Sequence, residues 1–209
     1  MNKLSISKLE VARKNPKEFA INLMKESTRS FGGYPKSQRW LTAINEFHTS
    51  NDVSKAIKIL ENSFSNRKNT AKNRRELNDF MIAVDSYSNV FAKRNFVFIK
   101  SRENVNLEIT KKIQLSGQIP LILMKPKKGF TAYFIVKEIN SNWREELRFP
   151  IVQSYVAQQI FSCEIKDVDV GVIDFYTGEI QEETYEADVI ENSNEELKKI
   201  GRAISRILK

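Results

Sequence analysis

Apolar residues recur at helical spacing through the first 94 residues, and at strand spacing beyond them. Ser7-Lys8-Leu9-Glu10 has the spacing of a capping box. Asn15-Pro16-Lys17-Glu18 opens a second helix with proline at its first position, and Phe19, Leu23 and Met24 give that helix an apolar side. Gly32-Gly33-Tyr34-Pro35 is a break. Trp40, Ile44 and Phe47 mark the next helix. Asn51-Asp52 starts another, with Val53, Ala56, Ile57, Leu60 and Phe64 on one face. A polar, basic connector over 66–75 then feeds a long helix that aligns Leu77, Phe80, Met81, Val84, Tyr87 and Phe91.

Near Phe96 the period changes. Residues 96–99, 105–115, 119–124 and 133–136 are rich in β-branched and aromatic side chains and read as strands. Lys125-Pro126-Lys127-Lys128-Gly129 is a turn between two of them. Helix returns over 147–161. Residues 167–175 and 180–185 form a hairpin about Tyr176-Thr177-Gly178-Glu179, and Ser193-Asn194-Glu195-Glu196 caps a last helix with Leu197, Ile200, Ile204 and Ile207 inward. The expected fold is α/β of the α+β kind: a helical N-terminal part packed on a central mixed sheet flanked by helices. The 209 residues suit a single domain, with a basic helical part (1–94) and an α/β core (95–209).

Composition excludes several classes. The longest apolar runs, such as 119–124, fall far short of the roughly 20 residues a membrane span needs. The N-terminus lacks the apolar core of a signal peptide. One cysteine, Cys163, allows no internal disulfide and fits a cytoplasmic setting, and one histidine, His48, leaves no ordinary zinc cluster. Charge is more telling. Residues 1–128 hold 25 Lys/Arg against 11 Asp/Glu, a net of +14, and residues 129–209 hold 9 against 15, a net of −6. Such asymmetry offers a polyanion a preferred face.

Three local matches carry a family resemblance. Leu4-Ser5-Ile6-Ser7-Lys8-Leu9 with Asn15-Pro16-Lys17-Glu18-Phe19 resembles an opening "S-x-S-x-L … C-P-x-x-F" element, with Asn15 in place of cysteine. Ser116-Gly117-Gln118-Ile119-Pro120-Leu121-Ile122 is similar to a "G-x-h-D-h-h" strand, and Gln153-Ser154-Tyr155 to a glutamine–tyrosine helix. With the order helix, strand, strand, strand, helix, strand, the chain resembles the PD-(D/E)XK nuclease superfamily in its RecB-type branch.

The resemblance implies a magnesium or manganese site built from strand acids and a lysine. Aligned through Gly117 the first acid becomes Pro120, and aligned through Lys137 the second becomes Ile135. The catalytic positions are therefore degenerate. If activity survives, its candidates are Lys137, Glu138, Glu145, Glu146 and Gln153, with Glu108 on a neighbouring strand. Against that, Glu138 points away from Lys137 on a regular strand, and Glu145 and Glu146 suit a helix N-terminus. In that branch His48 could be a metal ligand, but a lone histidine beside Phe47 at a helix end is more often structural. Residues two apart do not share a helix face, so of Gln153 and Tyr155 the glutamine is the one expected in the old cleft.

Basic residues are the main candidates for nucleic-acid contact: Arg67, Lys68, Lys72, Arg74 and Arg75 in one cluster, Lys111 and Lys112 in a second, and Lys125, Lys127 and Lys128 in a third. Lysine-rich loops neutralise phosphates without reading bases. Tyr34, Trp40 and Trp143 flank basic residues, although tryptophan is more often core than platform. The leading expectation is a non-catalytic nucleic-acid-binding protein with no resident cofactor. Its partner would be nucleic acid, DNA in the first place, and it would act as an accessory subunit of a DNA-processing or defence complex. Two rivals stand beside it: a metal-dependent nuclease with relocated carboxylates, and an interaction module or inhibitor that binds an acidic protein.

Overall fold

Just past Phe96, where the hydrophobic period shortens, the chain enters the main run of a six-stranded mixed sheet. The structure, a computed structural model, describes residues 1–26, 36–127 and 129–208. The expected break at Gly32–Pro35 lies outside them. β2 (Val97–Thr110) and β3 (Ile113–Met124) form a long antiparallel hairpin. β4 (Phe130–Val136) runs antiparallel to β3, and β5 (Val168–Asp174) lies parallel to β4. β6 (Ile180–Glu183) closes that edge antiparallel to β5. The expected adjacency of 119–124 and 133–136 is therefore present, and the fold is α+β.

Strand boundaries differ from the sequence reading: 97–99 and 105–110 belong to one strand, β2, and 113–115 and 119–124 to another, β3. The run over 105–115 is not one strand, because the chain turns at Lys111–Lys112. Thr110 closes that turn, its Oγ1 accepting from the amides of Lys112 (3.3 Å) and Ile113 (3.2 Å). A lysine pair with neither glycine nor proline gives no turn signal. The opening residues are not helical either. Asn2–Ser5 form β1, which pairs in parallel with Ile113–Ser116 of β3.

Seven helices flank the sheet among the described residues: α1 (Leu9–Lys14), α2 (Pro16–Glu26), α3 (Lys36–Ser50), α4 (Val53–Ser65), α5 (Ala71–Arg94), α6 (Arg148–Tyr155) and α7 (Ala187–Ile207). α6 continues as a π-helical segment, Val156–Phe161. Some caps form as their sequence spacing predicts. The Asn15 carboxamide accepts from the Glu18 amide at 3.1 Å, and Asp52 accepts from the Ser54 amide at 2.9 Å. Others do not. Glu10 leaves its expected box with Ser7 and accepts from the Leu147 amide at 2.6 Å, so it caps α6 instead. α7 begins six residues ahead of Ser193, whose buried hydroxyl donates back to the Val189 carbonyl at 2.7 Å.

The sheet separates two cores. One holds Leu4 and Leu9 from the N-terminal segment, Phe149 and Val152 of α6, and Leu197, Ile200 and Ile204 of α7. The other holds Trp40, Leu60, Phe80, Val84 and Tyr87 from α3, α4 and α5. β3 serves both, and its alternation changes phase at Pro120. Ile113, Leu115 and Ile119 belong to the first core; Leu121 and Leu123, of the same parity, belong to the second. Opposite this point in β2, Arg102 adopts a left-handed φ of 59°. Its guanidinium donates to the Gln38 carbonyl (3.0 Å) and to Thr42 Oγ1 (2.6 Å), which fastens α3 over the irregularity. Gly117 is required by contact: a Cβ there would sit 2.9 Å from Ile6 Cβ.

His48 belongs to the second core. Its ring stacks on Phe98 with centroids 4.3 Å apart, and Nε2 lies 2.9 Å from Tyr87 Oη. Desolvation lowers its pKa to about 4, so it is neutral in the folded protein, whereas the unfolded chain titrates near 6.5. Stability attached to His48 is complete above that unfolded value and is lost as pH falls towards 4. We expect wild type to lose on the order of 2 kcal/mol of unfolding free energy between pH 7 and pH 4.5 that His48→Gln does not lose. Urea titrations of both proteins at the two pH values measure this, and parallel losses would show that the ring is not the source.

Candidate nucleic-acid interface

Parallel strands β4 and β5 end together, Val136 beside Asp174, and their C-terminal ends face the first half of α5. A pocket of about 360 Å³ opens between them. Phe80, Ile135, Val136 and Phe175 form its apolar floor, and Glu76, Asp79, Lys137 and Tyr176 its rim. The β5–β6 turn is held firmly: Asp174 Oδ1 accepts from the amides of Tyr176 (2.9 Å) and Thr177 (2.8 Å), and Gly178 adopts φ 70°. That turn presents Tyr176 at the rim with 43% of its surface exposed.

Next to the pocket, and sharing Glu76 and Asp79 with it, a groove runs along α5 past Lys72 and Arg75. Thr70 caps this helix, and no acid occupies its first turn. Lys68, Lys72, Arg74 and Arg75 are exposed, and among the described residues none makes an ion pair. Arg74 donates to Asn69 Oδ1 at 2.9 Å. Arg67 differs from its neighbours. It lies over the Phe64 ring at 4.7 Å and pairs with Glu76 at 3.6 Å, and Arg39 approaches the same carboxylate at 3.8 Å. Glu76 is thereby held between two guanidinium groups.

Lys111 and Lys112 lie just before the start of β3, where Arg202 and Arg206 of α7 join them around a shallow depression. The sequence reading missed these two arginines, because α7's outward positions look like an ordinary solvated face. Lys125 is a correction. It pairs with Asp169 and lies 3.7 Å from Glu182, a carboxylate that also receives Arg94 (3.2 Å) and the Tyr133 hydroxyl. Its charge is spent inside the fold. Lys127 is exposed at the β3–β4 turn, and Lys128 lies outside the described residues. From Ile113 to Met124 β3 extends on the order of 36 Å, so the two lysine turns cannot share one cleft.

The proposed catalytic set is dispersed. Lys137 and Glu138 are exposed beyond the end of β4. Glu145 and Glu146 line a different depression with Glu10 and Arg13, and Glu146 pairs with Arg148 at 2.7 Å. Glu108 is exposed near the distant β2–β3 turn. Gln153 does not reach a cleft at all: it is fully buried, its amide donating to the carbonyls of Ile165 (3.2 Å) and Tyr185 (3.1 Å) and its oxygen accepting from the Tyr185 amide (2.8 Å). The carboxylates beside Lys137 are Glu76 and Asp79, from a helix whose apolar stripe gave no hint of them. Among the described residues no three His, Cys, Asp or Glu side chains are grouped to hold a metal ion. Trp40 and Trp143 are both core residues; Tyr34 lies outside the described residues.

No protein-family model matches this chain, and no curated protein matches it.

Two variants test these structural roles. Gln153→Leu strands two carbonyls and one amide in the core, and a loss on the order of 3 kcal/mol in urea unfolding is expected. Lys125→Gln removes the cation between Asp169 and Glu182. It is expected to cost about 1 kcal/mol of stability in the same measurement; unchanged stability would show that these pairs contribute nothing to the fold.

Proposed function

We propose that this chain is a non-catalytic nucleic-acid-binding protein on a nuclease-like scaffold, serving a larger DNA-processing or defence complex. The observation that carries the reading is the run of exposed cations at the start of α5, which make no ion pair among the described residues, continuous with the groove that leads to Lys137. Such a groove engages the phosphate backbone by counterion release and does not distinguish sequences through those contacts. The amides of a helix start add a favourable dipole for anions. Lys111, Lys112, Arg202 and Arg206 supply a second patch for a long polyanion that reaches around the molecule.

A non-catalytic role agrees with the side chains at the positions matching the family's ligands. Pro120 and Ile135 offer no oxygen to a hard cation, and Glu76 is engaged by Arg39 and Arg67. Among the described residues, no helix is long and apolar enough to cross a membrane.

Salt dependence of binding tests the proposal. If about five phosphates are engaged, affinity for duplex DNA should fall several hundredfold between about 50 and 200 mM salt. Lys72→Glu with Arg75→Glu should lower affinity at least tenfold for any sequence and flatten the slope. Incubation of pure protein with single- or double-stranded DNA and magnesium or manganese should give no cleavage. Binding that ignores both salt and the charge reversal would favour a protein partner, and cleavage lost on Asp79→Ala would favour the nuclease.

A further inference from the structure

The pocket beside Lys137 has features that phosphate contacts leave unused. It is apolar below and polar at its rim, and it opens onto the groove through shared residues. Its volume lies near the lower limit of small-ligand sites, which suits one planar ring system and no more. Tyr176 stands at the mouth on a turn locked by Asp174, so its ring is held out before any ligand arrives. Phe175 packs edge-on against Tyr176 (4.9 Å) and against Phe80 (5.2 Å), which keeps the pocket's aromatic wall in place.

We propose that this pocket takes one unstacked nucleobase of a single strand, a base that carries an exocyclic amino group. This rests on the nucleic-acid reading above and deepens it. With Lys72 and Arg75 on the flanking phosphates, a base turned out of the strand stacks on Tyr176 over the apolar floor. Asp79 sets the selectivity. It is half-buried, makes no ion pair or hydrogen bond among the described residues, and can only accept. Cytosine and adenine present an amino donor to such a group with a ring-nitrogen acceptor beside it for Lys137, whereas thymine reverses that order, with a carbonyl outside and an N3–H donor beside it. Lys137, on the other side of the rim, donates to a ring nitrogen or carbonyl.

The test compares homo-oligomers of cytosine and of thymine, each about twelve nucleotides long, with a duplex, by fluorescence anisotropy. The cytosine oligomer should bind about fivefold tighter than the thymine one, the equivalent of one net hydrogen bond. Tyr176→Ala should weaken single-strand binding about tenfold and leave duplex binding unchanged, while Tyr176→Phe keeps both. Asp79→Ala removes a negative charge beside the groove, so thymine binding should hold or rise while the cytosine preference disappears. A merely structural role for Asp79 would not produce that split. Equal binding of the two oligomers together with indifference to Tyr176→Ala would overturn the base pocket and leave the phosphate-binding reading standing. No binding of oligomer or duplex at low salt would end both.

Discussion

At Pro120 the side chains of β3 change faces, and the two helical layers take their places from that change. A strand with strict alternation would send Ile119 and Leu121 to the same core; here they enter opposite ones. The stretch of β3 from Gly117 to Pro120 lies between the segment paired to β1 and the segment paired to β4. A proline, which lacks a ladder donor, is tolerated at such a point. Across from it the left-handed Arg102 absorbs the irregularity and binds the start of α3. Pro120 is thus a structural joint of the sheet.

Amphipathic helices were largely legible, because period 3.6 is a local property: α3, α4 and α5 lie where their apolar stripes place them. The central strands were legible as a group, though not their ends. What escaped was decided by partners distant in sequence. Glu10 has the right spacing for a local cap, yet it serves an amide 137 residues away. Gln153 reads as a surface or cleft amide until three backbone groups from two other segments are brought around it. β1 contributes only Leu4 as a fully buried residue, too little pattern to announce a strand.

Electrostatic asymmetry in the sequence is partly cancelled in the fold. Arg13 meets Glu196, Arg94 meets Glu182, and Lys125 meets Asp169, so the acidic final third neutralises cations of the first part across the packed interfaces. Lys68, Lys72, Arg74 and Arg75 keep their charge because they sit at the far end of α5 from those acids. The helix has 24 residues and spans roughly 36 Å; its C-terminal end is tied into the Glu182 cluster and its N-terminal end projects the exposed cations.

The parallel pairing of β1 with β3 also orders events in time. Asn2–Ser5 have no strand neighbour other than residues 113–116 among the described pairings, so on the ribosome they wait for more than a hundred further residues. The β2–β3–β4 meander, by contrast, closes through short turns and needs little loop entropy. α1 and α2 lie in the same core as β1 and inherit its delay, while α3, α4 and α5 are sequence neighbours that can pack together early. Asn2–Ser5 are therefore made well before the strand they pair with, and the apolar residues Leu4, Ile6 and Leu9 stay uncovered until β3 has been made.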